Sequence, residues 1–230
     1  MTTEAYVESP TWTSGRVGVV AVGHYVYWPQ FEGLRERLLE HRATFLAELG
    51  RRAPATLIPV EGLCDTSPRA TEVGEELARA RVDLVVVYVA TYTPSAHVLP
   101  IIRRTGAPAL VVGLQPTAAM DYGRATTALQ LEHDNVTSLP EIAGAMARAG
   151  QAPIDVVVGT LHDDERAWGR IAAWCQVATV VHALAASGEY TGLEVAPVEV
   201  SVADNDRADV SIAPLSLRLV EGGAPGAYAL

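Results

Sequence analysis

Lysine is missing from this chain: all 17 basic residues are arginine, set against 27 acidic ones for a formal net charge of −10. A lysine-free composition reflects a GC-rich genome more than a function. The acidic balance does exclude one class of partner. Without a basic stripe the chain is a poor nucleic-acid binder, because phosphate neutralisation supplies most of that affinity. Cysteine is scarce as well. Cys64 and Cys175 lie far apart in no CxxC pattern, and they read as buried, reduced thiols of a cytoplasmic protein. No uninterrupted apolar run reaches the roughly 18 residues that suggest a membrane span. Residues 1–15, with Glu4, Glu8 and Pro10, lack a basic n-region and an apolar h-region; they are expected to be a flexible tail, not a signal peptide. Nucleophile-elbow, P-loop, zinc-spacing and kinase signatures are also absent.

What remains is an apolar-rich chain of 230 residues, 49% hydrophobic. That is enough for one large α/β domain with a short appendage. Apolar segments at Arg16–Val22, Thr56–Val60, Val82–Val89, Ala109–Gly113 and Asp155–Val158 read as strands. Helical stretches are expected at Phe31–Gly50, Pro68–Ala80, Ser95–Thr105, Leu139–Ala149 and Asp163–Ala186. The first of these carries Leu34, Leu38, Phe45 and Leu49 at helical spacing. Strands that are apolar throughout and alternate with helices indicate a parallel sheet covered on both faces. Right-handed crossovers then predict a flavodoxin-like, doubly wound five-stranded sheet over residues 16–188. Beyond it, Leu193, Val195, Val198, Val200 and Val202 alternate up to the turn Asp204-Asn205-Asp206, and Val210, Ile212, Leu215, Leu217 and Leu219 follow. This pattern predicts a C-terminal β-hairpin extension over 189–230.

In such sheets ligands bind beyond the carboxyl ends of the strands. The first strand ends in Gly23 and then delivers His24, Tyr25, Tyr27, Trp28 and Gln30. A nucleotide site would place glycines there so that backbone N–H groups could approach phosphate. Rings and an imidazole suit a neutral polyol better. His24 reads either as a hydrogen-bonded loop residue or as an acid–base group. The aromatic side chains Tyr25, Tyr27 and Trp28 could stack on a sugar, meet another subunit or close the core. Glu132-His133-Asp134 sets two carboxylates beside an imidazole, suiting either proton transfer or a solvated capping loop. Tyr92, His97 and Gln115 occupy other strand ends, where capping by Thr93 or Ser95 also explains part of the pattern. Asp163-Asp164-Glu165 reads as charge complementarity at a helix N-terminus and only secondarily as a metal site. His41 and His182, within helices, read as structural or surface residues.

Four stretches taken together resemble one family: GHYVYWPQ, LVVVYVATYTPSAHVLPII, APALVVGLQPTAAMD and VVVGTLHDDERAWGRIAAW. Their order and spacing from Val17 to Ala186 resemble the N-terminal domain of the L-arabinose isomerase and L-fucose isomerase-like sugar isomerases. The resemblance implies a flavodoxin-like sheet in a homo-oligomer, with this domain lending sugar-contacting side chains to a neighbour's active site. The contacts implied are the loop of His24, Tyr25 and Tyr27 and the loop of Glu132, His133, Asp134 and Asn135, whose sequence departs from the family's pattern. Family members bind Mn²⁺ through two glutamates and two histidines of later domains, and nothing here resembles those ligands. The expectation is therefore a sugar-isomerase-like protein that needs no cofactor of its own. Its expected ligand is a polyol or sugar, and its expected partner is a second copy or a metal-carrying isomerase-like chain. His24, Glu132 and His133 are its candidate catalytic residues; Tyr25, Tyr27, Tyr92, His97, Gln115 and Asn135 are its candidate substrate contacts. The alternatives are a metal-independent enzyme using His24 with Glu132, His133 or Tyr92, and a non-catalytic binding or assembly protein.

Overall fold

Six-residue runs such as Leu84-Val85-Val86-Val87-Tyr88-Val89 have no polar position to turn toward water, so they fold only where both faces are covered. The computed structural model describes residues 14–133 and 136–183, and there this run is the central strand of a sheet. The strands are β1 (Arg16–Val22), β2 (Thr56–Pro59), β3 (Leu84–Val89), β4 (Ala109–Gln115) and β5 (Asp155–Thr160). All pair in parallel, in the order β2-β1-β3-β4-β5. That is the flavodoxin-like order, with its topological switch point between β1 and β3.

The helices are α1 (Leu34–Arg52), α2 (Ser67–Arg79), α3 (Leu99–Thr105), α4 (Thr127–His133), α5 (Ser138–Arg148) and α6 (Glu165–Ala183). One core layer packs Leu34, Leu38, Phe45 and Leu49 of α1 and Trp168 and Ile171 of α6 against Val19, Val86 and Val112. The other packs Val73 and Leu77 of α2, Ile101 of α3 and Ile142 of α5 against Val20, Val85 and Val111. Alternate residues of each strand thus feed opposite layers.

The helix expected over Ser95–Thr105 is in fact broken. Ser95–His97 is a 3₁₀ turn, and α3 begins only at Leu99, with Pro100 in its first turn where no amide donor is required. Thr93 and Ser95 do not cap it. The Thr93 amide donates to Ser138 Oγ at 2.7 Å, and the Ser95 amide and hydroxyl donate to Glu141 at 2.8 and 2.6 Å. These contacts fasten the loop after β3 to α5. The strands β4 and β5 run two residues beyond their expected ends, to Gln115 and Thr160, paired to each other throughout. The expected hairpin and all of the expected tail save Ser14 and Gly15 lie outside the described residues.

Candidate functional site

At the β1/β3 switch point three loops are tied together by backbone. Gly23 N–H donates to Cys64 O at 3.1 Å, Tyr25 N–H to Asp65 O at 3.2 Å and Ala90 N–H to Val22 O at 3.1 Å. Into this frame the first loop sets a 3₁₀ turn, Tyr25–Tyr27, led by His24 in extended backbone. Gly23 is closely packed: a Cβ there would lie 3.2 Å from the Trp28 ring, which would have to give by a few tenths of an ångström. That indole is fixed by its Nε1–H, which donates to Asp65 Oδ2 at 2.6 Å.

Four of the expected residues meet here. The His24 ring lies 5.5 Å from Tyr25 and 5.3 Å from Tyr27, edge to face, and 5.1 Å from His97. His97 is buried, and its Nδ1 lies 3.0 Å from Gly23 O. A carbonyl only accepts, so Nδ1 carries the proton and Nε2 is the acceptor in the neutral ring. His24 Nδ1 is itself buried and finds no hydrogen-bond partner among the described residues. Burial lowers the His24 pKa from its usual value, and His97 lowers it further, while Asp65 opposes both. Tyr25 and Tyr92 stand exposed, at 52% and 38%. The site is thus an imidazole kept neutral, a second imidazole behind it and phenol rings open to solvent.

Glu132, His133 and Gln115 form a second constellation over the ends of β4 and α1. Glu132 Oε2 accepts from Arg37 Nε at 2.8 Å, and its Oε1 lies 3.4 Å from His41 Nε2. His41 is thus part of a charged cluster and not merely a helix-surface residue; burial lowers its pKa, and Glu132 raises it against that trend. Sequence reasoning missed Arg37 and His41 because they lie on α1, remote in sequence from the carboxylate they hold. Both ring nitrogens of His133 are spent locally, Nδ1 on Leu129 O at 2.9 Å and Nε2 on Thr117 Oγ1 at 3.0 Å. Gln115 Nε2 donates to His133 O at 3.3 Å. His133 and Gln115 therefore brace the loop after β4, and Glu132 is held by Arg37 and His41. Asn135 lies outside the described residues.

Two clefts adjoin these constellations. One, of about 500 Å³, is lined by Arg37, Asp121, Arg124, Thr126, Leu129 and Glu132. The other, of about 420 Å³, is lined by Trp28, Phe31, Glu32, Gly33, Arg35 and Glu36. Asp163-Asp164-Glu165 serves its helix. Asp164 accepts from Thr160 N–H and Ala167 N–H at 3.0 Å each, while Glu165 pairs with both Nη groups of Arg52 at 2.7 Å. Among the described residues no group of three or more His, Cys, Asp or Glu side chains converges as a metal requires. No helix among them is long and apolar enough to cross a membrane. The chain matches no protein-family model, and no curated protein is similar to it.

Proposed function

We propose that this protein is a diverged relative of the N-terminal domain of aldose–ketose isomerases. It binds a sugar or similar polyhydroxylated small molecule at the carboxyl edge of its sheet. The observation that carries this reading is the cluster of His24, His97, Tyr25 and Tyr27 at the topological switch point, with the buried His24 Nδ1 unpartnered. A neutral imidazole exchanges hydrogen bonds with hydroxyls without demanding a charge, and exposed phenol rings offer faces on which a sugar ring stacks. The ordered strand-end motifs that resemble the isomerase family support the same ligand class.

In this reading the protein works in the cytoplasm as a homo-oligomer or beside a metal-carrying isomerase-like chain, and it binds neither nucleic acid nor membrane. Its buried thiols agree with a reducing compartment: burial pushes both Cys64 and Cys175 up to about 12, leaving them protonated. A second reading, favoured by the same imidazole pair, is metal-independent acid–base catalysis with His24 as the base. Titration calorimetry with L-arabinose and L-fucose tests the binding, using His24→Gln as the control. Heat of binding that disappears in His24→Gln supports the proposal; no binding of any pentose or deoxyhexose overturns it. Turnover of the bound sugar in the presence of a chelator would select the second reading.

A further inference from the structure

The cleft between α1 and the loop leading into α4 is lined by two guanidiniums and two carboxylates. Both carboxylates accept hydrogen bonds from the protein itself. Glu132 receives Arg37 Nε at 2.8 Å and faces His41 Nε2 at 3.4 Å, and Asp121 Oδ1 receives the Gly123 amide at 3.0 Å. Its two guanidiniums are not served to the same degree. Arg37 uses only Nε in that bond, and its Nη1 lies where a Cβ on Gly33 would stand 3.1 Å away. Gly33, at φ +74°, is the residue that leaves this space. Arg124, exposed, makes no side-chain hydrogen bond or ion pair among the described residues. Thr126 Oγ1 accepts from the Leu129 amide at 3.1 Å, so its own proton is free to donate. Leu129 and Ala128 supply an apolar wall.

Glu132 is held by Arg37 and His41 and Asp121 Oδ1 by the Gly123 amide, while two Nη groups, a whole guanidinium fork and a hydroxyl line the cleft uncommitted. We propose that this cleft binds the oxyanion of a small molecule, carboxylate or phosphate, clamped between Arg37 and Arg124 with Thr126 as a third donor. Guanidinium matches both groups through paired N–H donors. The net charge of −10 repels anions at long range, so only a local arrangement of this kind retains one. The site is independent of the switch-point imidazoles, and neither His24 nor His97 enters it.

The test compares three ligands that share a polyol and differ in charge: L-arabinonate, arabinose 5-phosphate and neutral L-arabinose. They are titrated calorimetrically into the full chain and into Arg124→Ala, an exposed position whose loss leaves the fold intact. L-arabinonate, the phosphate or both should bind at least about tenfold more tightly than the neutral sugar, as charge-assisted hydrogen bonds require. Arg124→Ala should erase that advantage, and Arg124→Lys should restore part of it. A response to arabinonate alone assigns a carboxylate ligand, and one to the phosphate alone assigns a phosphorylated one. Equal binding of charged and neutral ligands, or an advantage unchanged in Arg124→Ala, overturns the proposal.

Discussion

At the residue scale, His24 and Gly159 make opposite demands on the fold. The His24 pKa is lowered, first by burial and then by His97, so the folded protein binds the proton less readily than the unfolded chain. Stability is then intact above the unfolded value near 6.5 and falls as the pH drops below it. His41 is lowered too and adds to the same loss. Thermal melts between about pH 7.5 and about pH 5.5 should show a falling Tm, and the fall should be smaller in His24→Gln. An equal fall in the variant would assign the effect to other groups. Gly159 is demanded by space: a Cβ there would lie 2.3 Å from Asp164 Oδ2 and 2.7 Å from the Ala167 Cβ. Gly159→Ala must displace the carboxylate that caps α6, at a cost of about 1–3 kcal/mol in urea unfolding. A stability within about 0.5 kcal/mol of the parent would mean that the turn relaxes freely.

At the element scale the core layer between α1, α6 and the sheet is organised by rings. Phe45 of α1 stacks on Tyr88 of β3, with centroids 4.4 Å apart and planes within 4°, and it meets Trp168 of α6 at 5.3 Å. The Trp168 indole also donates to Leu161 O at 3.2 Å. Trp168→Ala should cost about 3–5 kcal/mol, read as a lower urea midpoint, because it empties a fully buried ring volume and orphans a carbonyl. Conversely, the exposed Tyr122→Ala should change stability by less than about 0.5 kcal/mol.

Elements were legible in the sequence to the degree that burial dictated them. The runs 84–89 and 109–113 have apolar residues toward both layers, so no other placement of them hides their side chains. Their neighbours were harder to bound. Gln115 and Thr160 are polar yet remain in register because their backbones still pair. The seven-residue α4 is too short to show a period, and the sequence pattern predicts no helix there. At the site, His24 and His97 were findable because strand ends are readable. The clamp of Arg37 and His41 on Glu132 was not, since sequence separation hides which helix face meets which loop.

At the scale of the whole molecule, the two thiols report on integrity. Cys64 and Cys175 are buried and held protonated, so Ellman's reagent should find neither at about pH 8 until the chain unfolds. Rapid native reaction of one thiol would show a local opening near it. A homo-oligomer in solution, as proposed, should scatter light as a multiple of 24.4 kDa, and a steady monomer at micromolar concentration would count against it.

The bonds around Gly23 and Cys64 have a kinetic meaning as well. The Cys64 amide donates to Ala21 O at 2.8 Å, the Cys64 thiol donates to His97 O at 3.7 Å, and His97 donates back to Gly23 O at 3.0 Å. These links close a ring through the segments that follow β1, β2 and β3. No one of those segments can lift away without breaking bonds in the other two. Deuterium should therefore enter the amides of Gly23, Tyr25 and Cys64 together, at the slow rate set by opening of the central strands, and not at the rate of surface loops. A sugar bound at this edge, as proposed, would meet a surface already set in place, so its association would be a docking event with little ordering entropy to lose.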